Sequence, residues 1–169
     1  MRMPIPYLLT LLVILCGCSR ESTETESSAT ADTWLPLKIG TTEIEVQIVL
    51  TRTEQAKGLM QRESLPDNSG MLFAYRDPTP MSFWMANTSI PLDIGFFDST
   101  GLLVEVHRMV PFDTGRTQSR AQNLQYALEM NTGWFSRNGI FPGHRIDLES
   151  LAKALRARGA SPVAFGITE

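Results

Sequence analysis

The feature that most constrains the fold is a succession of short apolar segments, separated by turn-forming residues at intervals of roughly ten residues. Residues 43–48 read EIEVQI and alternate polar with apolar side chains, which is the period of a half-buried β-strand. Similar segments predict further strands over residues 71–75, 82–85, 92–97, 102–109 and 126–130. The pattern predicts a mainly β fold with some α+β character: a single small barrel-like domain of short strands with two or three short helices.

Helix signals are short and few. Thr51 lies three residues before Glu54, which is the spacing of a capping box, and Gly58 is expected to end the helix that follows. A longer helix is predicted over residues 149–158, because its leucines recur four residues apart and therefore share one face. Beyond it we expect a frayed C-terminal tail.

Composition narrows the possible functions. The 169 residues carry 15 Lys and Arg against 18 Asp and Glu, and the formal net charge of −3 argues against a nucleic-acid-binding protein. The two cysteines, Cys16 and Cys18, both lie in the first tenth of the chain. Their position excludes a disulfide scaffold and a cysteine-based zinc site from the folded part.

The N-terminal segment predicts export and a lipid anchor. Residues 1–17 resemble a secretory signal peptide, since a basic start precedes an apolar run that is shorter than the roughly 20 residues needed to span a bilayer. The sequence LCGC that ends at Cys18 resembles the bacterial lipobox, which implies that this cysteine is lipidated. Residues 18–33 are rich in Ser, Thr and Glu and predict a disordered tether. We therefore expect a periplasm-facing envelope protein, in the outer rather than the inner membrane, with a globular domain over residues 34–158 and a tail over residues 159–169.

Several sequence signatures occur together in the folded part. The stretches GLMQRESL (58–65), GMLF (70–73), FWMANT (83–88) and IPLDI (90–94) resemble successive signatures of domain-of-unknown-function family 192, and YALEMNTG (126–133) resembles its closing segment. The resemblance covers roughly residues 37–149 and implies a small exported β-rich domain without a settled activity.

The chain also departs from that family's pattern at two positions. Many relatives carry Lys where Ala86 stands, and many carry Cys near Phe112. The cation and any thiol chemistry of those relatives are therefore absent here.

A candidate binding site is centred on the tryptophan of the FWMANT stretch. Hydrogen-bonding groups beside an aromatic face suit a small polar ligand or a sugar. The candidate ligand-binding residues are Arg62, Trp84, Asn87, Thr88, Asp93 and Glu129. A purely structural interpretation stays open, because Asn, Thr and Asp also shape turns by bonding nearby backbone groups.

Two other classes of function remain as alternatives. A hydrolase of an envelope substrate would use acidic residues such as Asp93, Asp98 and Glu129, although no common hydrolase or phosphate-loop motif occurs. A Cu(I)-binding accessory protein would use soft ligands, and Met81, Met85 and His107 offer them. Methionine equally fills irregular gaps in a small core.

The leading prediction is a non-enzymatic envelope lipoprotein with no resident cofactor. The predicted partners are the membrane, reached through the lipid anchor, and a small polar ligand, a glycan or an envelope protein.

Overall fold

The fold was derived from a computed structural model, which describes residues 28–168. The predicted signal peptide, the lipidation of Cys18 and most of the predicted tether lie outside the described residues.

Residues 28–168 form eight β-strands, three short α-helices and one 3₁₀ helix. The strands are β1 (Leu35–Ile39), β2 (Thr42–Val49), β3 (Ser69–Thr79), β4 (Ser82–Phe83), β5 (Leu92–Phe97), β6 (Leu103–Met109), β7 (Thr117–Gln118) and β8 (Leu124–Asn131). The helices are α1 (Arg52–Lys57), α2 (Trp134–Arg137), α3 (Leu148–Ala157) and the 3₁₀ helix (Pro162–Phe165). The mainly β class is confirmed, and β5 has the bounds that its sequence predicts.

Six strands form one sheet in the order β1-β2-β3-β8-β5-β6, and β4 pairs with β7 in a separate two-stranded sheet. β2 and β3 are parallel, whereas the other neighbours in the large sheet are antiparallel. The parallel pair is possible because α1 and the loop after it form the crossover that a parallel connection requires.

The large sheet is not closed into a barrel, so the barrel-like arrangement expected from the strand spacing is corrected to an open sheet with bridged edges. Residues 143–147 cross the gap between the edge strands. The Gly40 amide donates to the Arg145 carbonyl oxygen at 2.9 Å, and the Asp147 amide donates to the Lys38 carbonyl oxygen at 2.8 Å. On the other side, the Leu103 amide donates to the His144 carbonyl oxygen at 2.8 Å. This segment therefore satisfies part of the outward backbone of both β1 and β6.

The sheet separates two hydrophobic cores. The first core lies between one face of the sheet and the helices α2, α3 and the 3₁₀ helix. The sheet contributes side chains of β1 and β2 together with Leu72, Tyr126 and Leu128. The second core lies on the opposite face and packs aromatic and methionine side chains such as Phe73 and Met85 beneath the loops. Because successive strand residues point to opposite faces, neighbouring residues of β8 serve different cores.

The helix ends follow from their capping residues. The Glu54 amide donates to Thr51 Oγ1 at 3.2 Å, and the Thr51 amide donates to the Glu54 carboxylate at 2.9 Å, so the predicted capping box is confirmed. α3 begins one residue earlier than predicted, because the Asp147 carboxylate accepts the Ser150 amide at 2.8 Å.

The predicted domain boundaries are too narrow at both ends. The residues after Gly159, expected to fray, form the 3₁₀ helix and bury Phe165 and Ile167. The Tyr126 hydroxyl and the Gln125 side-chain amide each donate to the Phe165 carbonyl, at 2.9 Å. The fold therefore includes the tail, because it satisfies two buried polar groups of β8 and covers the first core.

The N-terminal boundary moves outward for a similar reason. The Ala29 amide donates to the Ala157 carbonyl at 2.7 Å, and the Arg158 guanidinium donates to the Ala29 carbonyl at 2.6 Å. Residues 29–33, assigned to the tether from sequence, thus pack on the domain. None of the helices in residues 28–168 has both the length and the apolarity needed to cross a membrane.

Candidate functional site

Glu129 is the most unusual polar residue of the sheet. It lies on β8 between Met71 of β3 and Ile94 of β5, and it faces the second core. Its exposed fraction is 5%, and within residues 28–168 no hydrogen bond or ion pair reaches its carboxyl group. No side-chain polar atom in the described region is both fully enclosed and unpartnered, so the carboxyl oxygens keep some open space beside them.

That space is a small cavity of about 30 Å³. Part of its lining is residues 55–60, which are the C-terminal end of α1 and the start of the loop after it. The rest of the lining, besides Glu129, is Phe73, Phe83, Trp84 and Thr88. The volume is enough for about one water molecule. The cavity therefore accepts a single small group rather than a whole metabolite.

Burial sets the charge of Glu129. Removing the carboxylate from water disfavours its ionised form and raises the pKa of Glu129 to about 8. Burial also raises the pKa of Tyr75, with a further contribution from the neighbouring Glu129 carboxylate. A pKa near this value keeps Glu129 mostly protonated, as a neutral carboxylic acid, at pH 7.

Trp84 stands at the rim of the cavity and keeps 43% of its surface exposed. The Arg116 guanidinium carbon lies 4.7 Å from the centre of its ring, which is a cation–π distance. The rim therefore combines an accessible aromatic surface with a neighbouring positive charge.

The loop that carries Trp84 is held in a tight turn. The Thr88 amide donates to the Met85 carbonyl at 3.0 Å, and Asn87 has a left-handed φ of 58°, a conformation that Asn tolerates. The Gln61 amide donates to the Asn87 carbonyl at 2.8 Å, which joins this turn to the loop after α1. Asn87 is exposed and shapes the turn through its backbone, whereas Thr88 is buried and lines the cavity.

Arg62 lies outside the cavity, in an open depression of about 620 Å³. Its guanidinium donates to Gln47 Oε1 at 2.5 Å and lies 3.6 Å from the Asp32 carboxylate. Lys57 and Met60 line both the depression and the cavity, so the two spaces are adjacent. Within residues 28–168, neither Asp93 nor Glu129 pairs with Arg62.

Asp93 belongs to the other face of the sheet. It pairs with Met130, so its side chain points away from the face that carries Glu129. Its carboxylate accepts the Gly133 amide at 2.7 Å and the Thr132 hydroxyl at 3.1 Å. Asp93 thus fixes the start of α2, and the site expected from sequence divides between two faces.

The same geometry bears on hydrolysis. Asp93 cannot face Glu129 across a cleft, and Asp98 is occupied by its own turn, where it accepts the Thr100 and Leu102 amides at 2.8 and 3.0 Å. In the described residues, the cavity holds one carboxyl group, and no group of three or more His, Cys, Asp or Glu is arranged to hold a metal ion.

The candidate copper ligands have structural contacts. Met81 and Met85 are buried in the second core. His107 Nε2 lies 2.7 Å from a Glu105 carboxylate oxygen, and the imidazole stands edge-on to Phe96. These contacts account for all three side chains without a metal.

Three of the six predicted site residues, Trp84, Thr88 and Glu129, therefore line one cavity. The sequence analysis did not anticipate the walls supplied by Phe73, Phe83 and the end of α1. The signal for the site was a single acidic residue at an inward position of an otherwise apolar strand, Tyr126–Met130.

The comparison with known families agrees with these residues. A family model described as DUF192, "Uncharacterized ACR", matches residues 35–148, which is more than half of the chain. The chain belongs to domain-of-unknown-function family 192. The match begins at β1 and ends at the first residue of α3, so the Glu129 cavity lies within the family domain.

Two solved structures are similar to this chain. One, from Sinorhizobium meliloti, is described as a "putative transcription regulator"; it is 30% identical, with a TM-score of 0.65 over 68% of this chain and 93% of that one. The other is a protein of unknown function from Novosphingobium aromaticivorans; it is 32% identical, with a TM-score of 0.65 over 73% of this chain and 94% of that one. Among curated proteins, no match was found.

Proposed function

We propose that this member of family 192 is a lipid-anchored envelope protein whose β-domain binds a small ligand, with the Glu129 cavity as the binding site. The observation that supports the proposal is a buried carboxyl group that faces open space and has no partner in residues 28–168. A buried polar group without a partner costs free energy, so folding alone gives no reason for an acid at this position. A ligand that bonds to the carboxyl would recover that cost.

The surroundings favour binding over catalysis. Glycoside and peptide hydrolysis by acidic residues generally needs a second carboxylate or a metal near the first. The described lining of the cavity supplies neither. Trp84 at the rim provides a partly exposed aromatic surface, along which the rest of a ligand can extend into solvent.

A thermal-shift screen tests the binding function. The full chain with Cys18→Ser, which lacks the lipidation site, is compared with the same chain carrying Glu129→Gln. The library contains small amines, sugars, carboxylates and neutral polar compounds. We expect at least one class to raise the melting temperature of the parent and not of the Glu129→Gln variant.

The matched control is Glu149→Gln, because Glu149 is an exposed glutamate whose carboxylate pairs with Lys153 at 2.7 Å. This control should respond to ligands like the parent. If no compound distinguishes the Glu129→Gln variant from the Glu149→Gln control, the cavity is not a ligand site.

The lipid anchor has its own test. The lipobox resemblance implies lipid on Cys18, and several acyl chains hold a protein firmly at a membrane. We expect Cys18→Ser to move the protein from the membrane fraction to the soluble periplasmic fraction, as measured by fractionation and immunoblotting. Cys16→Ser is the control and should leave the protein at the membrane. A Cys18→Ser variant that stays membrane-bound would refute the lipid anchor at this position.

A further inference from the structure

The chemical class of the ligand can be inferred from the hydrogen-bonding groups that line the Glu129 cavity. Gln55 and Ala56, at the C-terminal end of α1, both line it, and within residues 28–168 no backbone amide outside the helix donates to their carbonyl oxygens. The Thr88 hydroxyl donates to the Ala86 carbonyl at 3.4 Å and keeps its lone pairs. Together with the Glu129 carboxyl, these groups are acceptors, whereas the Lys57 ammonium and the Trp84 indole nitrogen are donors in the same lining.

Several donors of the lining residues are engaged by neighbouring carbonyl oxygens. The Gly58 amide donates to the Glu54 carbonyl oxygen, and the Met60 amide donates to the Lys57 carbonyl oxygen. The Thr88 amide donates to the Met85 carbonyl oxygen. The Gln55 side-chain amide donates to the Ala74 carbonyl at 3.2 Å. A group that bonds to the Glu129 carboxyl and to the carbonyl oxygens at the end of α1 has to bring several donors, as an ammonium group does.

Charge and shape favour the same group. The C-terminal end of a helix carries partial negative charge, and aromatic rings attract cations to their faces. Phe73, Phe83 and Trp84 supply three aromatic walls. A cavity of about 30 Å³ favours a small group, such as a primary ammonium, over a larger quaternary ammonium or guanidinium.

We propose that the cavity binds the protonated primary amine of a small ligand, with the ammonium on the Glu129 carboxylate and the rest of the ligand lying along Trp84. This inference rests on the proposed binding function and names the ligand class for the same site. On binding, the carboxylic acid of Glu129 gives its proton to solvent, or to the amine if that arrives neutral, and the product is an ammonium–carboxylate pair.

Other ionisable groups surround Glu129. Tyr75 on β3 faces the same side of the sheet, and Lys57 at the end of α1 lines the cavity and the depression beside it. On the far side of β5, His107 occupies the position opposite Ile94 and is bonded to Glu105. Lys57 and Arg116 add positive charge at the cavity and at its rim, where the Arg116 guanidinium carbon lies 4.7 Å from the centre of the Trp84 ring. We expect Lys57→Gln, which removes one of these charges, to strengthen amine binding about twofold at low salt.

Isothermal titration of the full chain with Cys18→Ser tests the ligand class. The probes are butylammonium, its neutral isostere butanol and the larger tetramethylammonium, in amine-free buffers at pH 6.5. We expect butylammonium alone to bind. Titration in two buffers of different ionisation enthalpy should show the release of roughly one proton per ligand.

Two variants assign this binding to the cavity. Glu129→Gln should weaken butylammonium binding at least tenfold and abolish proton release. Trp84→Ala, at an exposed position that leaves the core intact, should weaken it about fivefold. Glu149→Gln should bind like the parent.

The possible failures are distinguishable. If butanol binds as well as butylammonium, or if binding releases no proton, the amine assignment is wrong. If amines do not bind, but a sugar or a carboxylate in the screen stabilises the parent and not the Glu129→Gln variant, the proposed binding function is supported and the amine class of ligand is wrong. If no probe or library compound requires Glu129, both proposals fail.

Discussion

The free energy of unfolding is expected to fall as the pH rises from about 4.5 to about 8, and Glu129→Gln is expected to remove most of that fall. Burial raises the pKa of Glu129 to about 8, whereas an unfolded glutamate ionises near 4.5. Between these values the folded state holds a proton that the unfolded state has lost. Stability is therefore greatest below the lower value, declines by up to about 1.4 kcal/mol per pH unit, and levels off above the higher one.

Urea unfolding at pH 5, 6.5 and 8 measures this effect. The decline over the range should total on the order of 4 kcal/mol in the parent chain, and the Glu129→Gln variant should be the more stable protein at pH 8. Glu149→Gln, an exposed control, should keep the decline of the parent. Parallel stability curves for the parent and the Glu129→Gln variant would show that Glu129 does not hold its proton in the folded state.

The second large effect is expected at Gly70, where β3 crosses close to β8. A Cβ atom at this position would overlap the Met130 sulfur and would lie 2.5 Å from the Glu129 carbonyl oxygen. The sulfur belongs to a flexible side chain, but the carbonyl belongs to the middle strand of the sheet and cannot move alone. We expect Gly70→Ala to destabilise the protein by about 3 kcal/mol and to lower the melting temperature by roughly 10 °C.

Calorimetry of three variants separates the two contacts. Gly115→Ala is the control, because Gly115 lies in an exposed loop and its nearest neighbours are atoms of the Asp113 side chain. Adding Met130→Ala to the Gly70→Ala chain removes the sulfur contact and leaves the carbonyl contact, so stability should not recover. Recovery in the double variant would mean that side-chain crowding alone accounts for the loss.

The local elements were predictable where the sequence signal is local. The capping box at Thr51 and Glu54 depends on residues three positions apart, and it occurs. β5 was predicted with its bounds because the six residues of Leu92–Phe97 lie between two turns. The open sheet was not predictable in this way, because the order β1-β2-β3-β8-β5-β6 depends on pairings between distant segments.

The candidate site was predictable in part for a related reason. Trp84 and Thr88 lie in one loop and stay together, whereas Glu129 was among the candidate residues without a sequence argument that placed it beside them. Asp93 was grouped with them because it follows closely in the sequence, but a shift of one position along a strand moves a side chain to the other face. The register between β5 and β8 decides which side chains share a face with Glu129, and no local sequence pattern specifies that register.

The segment that links the two edge strands has a consequence for crowding. A bare strand edge invites pairing with the next molecule, and proteins concentrated on a surface meet often. Here residues 143–147 form hydrogen bonds with part of both strand edges, and the Lys38 amide donates to the Ser150 hydroxyl oxygen. On the proposed lipid anchor, densely packed copies of this domain should therefore stay monomeric rather than stack into continuous β-ribbons.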